Sequence, residues 1–167
     1  MMRIALAQIN TTVGDLEGNC RKIAEFLHRA REQQVDLVVF PEMAISGYPP
    51  EDLLLKPDFL EACAQALQSL VPHSRGLTAV VGTPWVESGR LVNAAAVLHH
   101  GRLAAFYAKQ LLPNYGVFDE QRYFSPGHET LVVRRQGVAF GVTICADIWY
   151  PGGPAEAAAA AGAQLVV

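Results

Sequence analysis

The chain reads as an α/β protein, with sheets of buried strands and helices packed against them. Three observations predict this class. The chain opens on a strand, helix, strand pattern; an almost wholly apolar run at residues 35–40 stops at Pro41, as a strand covered on both faces does; and later strands arrive as paired runs joined by short turns.

Residues 3–9 form a short β-prone run, followed by a turn region carrying Gly14, Asp15 and Gly18. Cys20, Ile23, Ala24, Leu27 and Ala30 then recur at helical spacing opposite Arg21, Glu25, Arg29 and Glu32, which predicts an amphipathic helix over residues 19–33. The strand at 35–40 completes a β-α-β opening. Pro49 and Pro50 break any regular element after Gly47 and Tyr48. Asp58 is placed to cap a second helix whose apolar residues include Phe59, Ala62, Cys63, Ala66, Leu67 and Leu70. Residues 78–82 supply another strand, and Ser88-Gly89 and His100-Gly101 read as tight turns of a meander that joins residues 91–99 to 102–108. The segment 110–127 holds Pro113, Asn114, Gly116, Pro126 and Gly127 and is too long for an ordinary connection, which marks it as a functional loop. A hairpin is expected at Gln136-Gly137, with its second strand, 138–144, running straight into Cys145. Residues 154–161 are Ala-rich and helical, and residues 164–167 begin one more strand. No helix follows to cover that strand, so the sequence reads as stopping inside an alternating α/β architecture.

Composition narrows the function classes. At 167 residues, 51% hydrophobic and 17% charged, the chain carries enough apolar material for one sizeable core and too little charge for a disordered protein. The net charge is -3 and the basic residues are scattered, so no nucleic-acid partner is expected. The N-terminus lacks the pattern of a targeting signal and no run reaches the ~18 apolar residues of a membrane helix, so the chain reads as cytoplasmic with no membrane partner. Cys20, Cys63 and Cys145 make an odd count without CxxC or zinc-ligand spacing, which argues against a disulfide framework or a metal site. Cys20 and Cys63 lie on apolar helix stripes and read as inert core thiols.

Cys145 differs by its address. Open α/β sheets present reactive groups at the carboxyl ends of strands, and three residues share that place: Glu42 after 35–40, Lys109 after 102–108 and Cys145 after 138–144. A thiol nucleophile, a carboxylate base and an ammonium that stabilises an oxyanion suit acyl transfer from an amide. The five histidines, His28, His73, His99, His100 and His128, fall on a helix surface, at turns or in a Pro/Gly loop, and none stands beside an obvious orienting partner for a Cys-His pair.

Three segments carry a family resemblance: VVFPEMAISGYPPEDLL at 38–54, KQLLPNYGVFDEQRYF at 109–124 and TICADIW at 143–149. With them the whole chain resembles the nitrilase superfamily of carbon-nitrogen hydrolases and, within it, the glutaminase domains of glutamine-dependent NAD synthetases. The resemblance implies a four-layer αββα sandwich that continues beyond residue 167. It implies that Glu42, Lys109 and Cys145 form a triad hydrolysing L-glutamine through a thioester, with Glu120 as a supporting glutamate and Tyr48 and Tyr115 beside the glutamine pocket. An aromatic in a long loop also serves as an anchor, so Tyr115 carries both readings. Asp147, Ile148 and Trp149 are expected to shape the turn at Cys145, with Trp149 packed. Position 146 is Ala where this branch usually carries Glu, a departure that bears on the glutamine preference.

The glutaminase step implied by the resemblance needs no cofactor. ATP and Mg would serve a synthetase domain outside this chain, since no SGGxDS-like pyrophosphate loop occurs here. The implied partners are L-glutamine, that synthetase domain and further copies in a homo-oligomer. Two other readings stand beside this one: a free-standing amidase acting on another small amide, and an inactive module that serves assembly.

Overall fold

A computed structural model describes residues 1–167. Its first sheet runs in the order β1 (Ile4–Leu6), β2 (Leu37–Val39), β3 (Thr78–Glu87), β4 (Arg90–His99) and β5 (Arg102–Ala108). β1, β2 and β3 are parallel, and β3, β4 and β5 form an antiparallel meander. A second sheet holds β6 (Val132–Arg135), β7 (Val138–Gly141) and β8 (Leu165–Val166) in that order. Three tight turns predicted from sequence close their hairpins with positive φ at both central residues: Ser88-Gly89, His100-Gly101 and Gln136-Gly137. Such turns match the natural twist of paired strands.

Side-chain alternation sorts the molecule into four layers. Ile23 and Leu27 of α1 (Leu16–Glu32) and Cys63 and Leu67 of α2 (Pro57–Leu70) pack on Val38, Ala79, Val81 and Ala96, on one face of the first sheet. The opposite face presents Leu37, Val80, Val97 and Tyr107 to Phe140, Val142 and Ile144 from the second sheet. The outer face of that second sheet carries α3 (Pro154–Ala160), where a methyl group added at Gly141 would fall 2.5 Å from the Ala158 Cβ. The small residues of 157–161 thus let helix and strand approach closely.

Several boundaries differ from the sequence reading for identifiable reasons. α1 starts at Leu16 rather than 19 because the Asp15 carboxylate caps it, accepting from Gly18 N at 2.9 Å. Asn19 is instead a buried tie, donating to Ile45 O at 2.9 Å and to Thr12 O at 2.8 Å. α2 starts at Pro57, so Asp58 lies inside its first turn and is not its cap. The strand expected over 78–82 extends to Glu87 because β4 pairs with its whole length. β7 ends at Gly141, short of Cys145, because Ile144 N donates to the Asp147 carboxylate at 3.0 Å and takes up a turn.

Candidate active site

Glu42 reaches the site because the chain leaving β2 is pressed onto β3. Phe40 N donates to Val80 O at 2.9 Å and Ile45 N to Gly82 O at 3.1 Å. Between these two bonds the segment crosses Gly82, where a Cβ would sit 2.4 Å from Pro41 O and 2.5 Å from Met43 N. The missing side chain is what permits the crossing. Met43, fully buried, adopts φ 52°, a left-handed conformation that a bulky residue holds only when its surroundings enforce it.

Lys109 is fixed by its backbone on two sides. Its N–H donates to Asn93 O at 2.8 Å, and its carbonyl accepts from Gly127 N at 2.8 Å. A Cβ at Gly127 would fall 2.2 Å from Ala108 O, so the far end of the long 110–127 loop is clamped against the end of β5.

The side chains converge. Lys109 Nζ donates to Glu42 Oε1 and to Glu120 Oε1, each at 2.8 Å. Asn93 Nδ2 donates to the same Glu42 oxygen at 2.6 Å, and Tyr48 OH donates to Glu120 Oε1 at 3.2 Å. The Lys109 side chain is 0% exposed, that of Glu120 5% and that of Glu42 19%. Burial opposes the ammonium, yet the two carboxylates around Lys109 hold its pKa above the ordinary value. Burial pushes the Glu120 carboxyl up against the pull of Lys109, consistent with an Oε2 that is buried and has no hydrogen-bond partner. One ammonium cannot neutralise two carboxylates, and the surplus negative charge is least tolerated on the more deeply buried acid.

Cys145 opens a short 3-10 turn, Cys145–Ile148, at φ 47°. Asp147 holds that turn together: its fully buried carboxylate accepts from Ile144 N, Leu111 N at 2.9 Å, Gln110 N at 3.2 Å and Tyr107 OH at 2.7 Å. One side chain therefore ties the Cys145 turn to the chain just after Lys109. The Cys145 thiol stays exposed. Its pKa is raised, first by partial burial and then by Glu42 and Glu120, against the opposing effects of Lys109 and the Ala146 N–H. At neutral pH the thiol is protonated and needs a base to become a nucleophile. The other two cysteines are remote from this chemistry. Burial raises Cys20 to about 11 and Cys63 to about 12.

A hollow of about 840 Å³ opens beside this turn, lined by Leu111, Tyr115, Phe124, Ala146 and Tyr150 among others. Tyr115 lines it while also meeting Phe118 edge-on at 5.7 Å, so both sequence readings of that aromatic have a structural counterpart. Tyr48 lines a second hollow with Glu120 and Phe124, and its hydroxyl is engaged by Glu120. Trp149 is 57% exposed, contrary to the expectation that it packs, because the turn that sets Cys145 outward carries the following residues outward too. The sequence reading does not single out Asn93. Its one signal was a lone amide in the apolar run of β4, where Asn is uncommon.

The layered fold, the thiol at a strand-to-turn junction and the Glu-Lys-Glu cluster behind it describe a carbon-nitrogen hydrolase. The chain belongs to the carbon-nitrogen hydrolase family, whose sequence pattern matches residues 3–167. Among similar curated proteins, the glutamine-dependent NAD(+) synthetase of Aquifex aeolicus is 45% identical over 169 residues, covering 100% of this chain and 30% of that protein. The enzyme of the same name from Xanthomonas campestris pv. campestris is 48% identical, covering 99% and 30%. The chain thus spans about 30% of the length of these relatives. The solved glutamine-dependent NAD+ synthetase of Acinetobacter baumannii, in complex with ADP, matches with a TM-score of 0.93 and 37% identity over 99% of this chain and 31% of that one. An amidase of the nitrilase superfamily from Nesterenkonia AN1 matches with a TM-score of 0.85 and 31% identity, over 99% of this chain and 63% of that one. A mutant of that amidase shows acrylamide joined to its active-site cysteine by Michael addition. The α/β fold expected from sequence is therefore the nitrilase-type fold.

Proposed function

We propose that this chain hydrolyses the side-chain amide of L-glutamine through a thioester on Cys145, and that a synthetase part of a longer protein uses the ammonia for ATP-dependent NAD synthesis. The observation that carries the reading is a buried ammonium held by two carboxylates, with the exposed Cys145 on a turn that Asp147 ties to the chain just after Lys109. In this mechanism Glu42 takes the thiol proton as Sγ attacks the amide carbon, and Lys109 stabilises the oxyanion. The tetrahedral intermediate collapses as Glu42 passes the proton to the departing nitrogen, which leaves as ammonia. Glu42 then takes a proton from water as the water oxygen attacks the thioester, and Sγ leaves with that proton, releasing glutamate. Glu120 keeps Lys109 in place and Tyr48 steadies Glu120, while Tyr115 borders the substrate.

This step calls on no cofactor; ATP and Mg belong to the synthetase part. Intact protein is expected to assemble as a homo-oligomer, as the sequence resemblance implies. A second reading, an amidase for other small amides, draws on Ala146, which lines the hollow where a glutamate was expected, and on the likeness to the Nesterenkonia amidase.

Ammonia release from L-glutamine, acetamide, propionamide and acrylamide separates the two. The glutaminase reading expects release mainly from glutamine and none above background in Cys145→Ala. Turnover of the aliphatic amides with glutamine untouched would replace it with the second reading, and release unchanged in Cys145→Ala would refute both.

A further inference from the structure

Glu42 Oε1 receives two donors, Asn93 Nδ2 at 2.6 Å and Lys109 Nζ at 2.8 Å, whereas Oε2 accepts no hydrogen bond from the protein. We propose that Asn93 is a positioning residue of the Cys145 reaction: by occupying Oε1 together with Lys109, it leaves Oε2 as the oxygen that takes the thiol proton. The inference rests on Glu42 being the base, as in the proposed function.

The orientation of the amide follows from chemistry, because turning it over would set Oδ1 against a carboxylate oxygen, acceptor against acceptor. Its placement is not explained by folding alone. Asn93 is fully buried in β4, and its Oδ1 has no hydrogen-bond partner. A buried acceptor left unpaired is unfavourable, and an isosteric Leu among Val92, Ala94 and Ala95 would avoid it. What the amide supplies in exchange is the bond to Glu42. The same residue acts on a second member of the cluster, since its carbonyl accepts the Lys109 N–H at 2.8 Å. Asn93 thereby sets the base through its side chain and the ammonium through its backbone. Substitution of the side chain removes the first effect and leaves the second.

The test reads the rate of Cys145 thiomethylation by methyl methanethiosulfonate, a reagent with no amide bond to hydrolyse, followed by mass spectrometry. In that reaction the thiol proton passes to Glu42, Sγ bonds the methylthio sulfur and methanesulfinate leaves, so the rate reports the base directly. Asn93→Leu, Asn93→Ala, Glu42→Gln and the double variant Asn93→Leu/Glu42→Gln are compared with the unaltered chain, each with a thermal melt. Because general bases contribute about 10²–10⁴-fold, Glu42→Gln should slow labelling by about 100-fold or more, and loss of one orienting donor by about tenfold. The decisive expectation is non-additivity: Asn93→Leu should add nothing once Glu42 is Gln. A structural role would instead slow the double variant by the product of the two single effects. That product, or labelling by either Asn93 variant at the unaltered rate, overturns the proposal. If Asn93→Leu does not fold, the smaller Asn93→Ala, which also lacks the donor, carries the test. Should Glu42→Gln itself label at the unaltered rate, Glu42 is not the base, and the failure lies with the catalytic reading.

Discussion

With one ammonium between two carboxylates, the cluster holds one surplus negative charge when all three groups are ionised, and its chemistry follows from where that charge settles. Replacing Lys109 by Met would set Glu42 and Glu120 against each other without a counter-charge. The expected result is loss of amide hydrolysis and a destabilisation of about 3–5 kcal/mol in chemical denaturation, since breaking a buried ion pair strands its partners. Glu120 gives a pH signature. Its folded pKa lies above the ordinary 4.5, so the folded chain keeps a proton that the unfolded chain releases. The resulting stabilisation is complete below 4.5 and disappears as pH rises through the raised value. The stability of the unaltered chain minus that of Glu120→Gln should therefore decrease on going from below pH 4.5 towards neutrality. A difference that grows with pH would show that ion pairing, not burial, dominates at Glu120. At this scale the meeting of Glu42 and Lys109 was legible because each follows a recognisable strand, whereas Cys145 stands beyond the end of β7, on the turn that Asp147 holds. Asn93 was not, because its importance lies in a bond to a residue 51 positions away.

At the scale of elements, the site depends on backbones passing close to one another. Gly82→Ala would drive a methyl group into Pro41 O and Met43 N, and Gly127→Ala would do the same to Ala108 O. Each is expected to cost about 1–3 kcal/mol and to displace the neighbouring Glu42 or Lys109. Activity should then fall further than thermal stability does, and activity kept at the unaltered level in both variants would argue against this packing. The helices and hairpins were readable from sequence because their signals are local: apolar spacing in α1 and α2, and turn pairs such as Gln136-Gly137. The end of β7 was not. Val142 and Ile144 are apolar and suit a strand, but Ile144 N bonds the Asp147 carboxylate, and only the folded turn makes that acceptor available. The start of α1 was missed for a comparable reason, since Asp15 reads equally well as a loop residue until its bond to Gly18 N is seen.

At the scale of the whole molecule, the two sheets must be held face to face for the thiol to meet the carboxylates, because Glu42 and Lys109 leave the first sheet and Cys145 the second. Phe140, fully buried between them against Val80, Val97 and Tyr107, is central to that contact. Phe140→Ala should destabilise the fold by about 3–5 kcal/mol and depress Cys145 labelling even where the chain remains folded. No helix is long and apolar enough to cross a membrane. The most direct test of the account is to mix the protein with L-glutamine, quench in acid within the first turnover and locate any adduct by mass spectrometry. The account predicts a glutamyl thioester on Cys145, absent from Cys20 and Cys63 and absent in Cys145→Ala. Glutamate formed at an undiminished rate by Cys145→Ala, with no adduct on the unaltered chain, would contradict it.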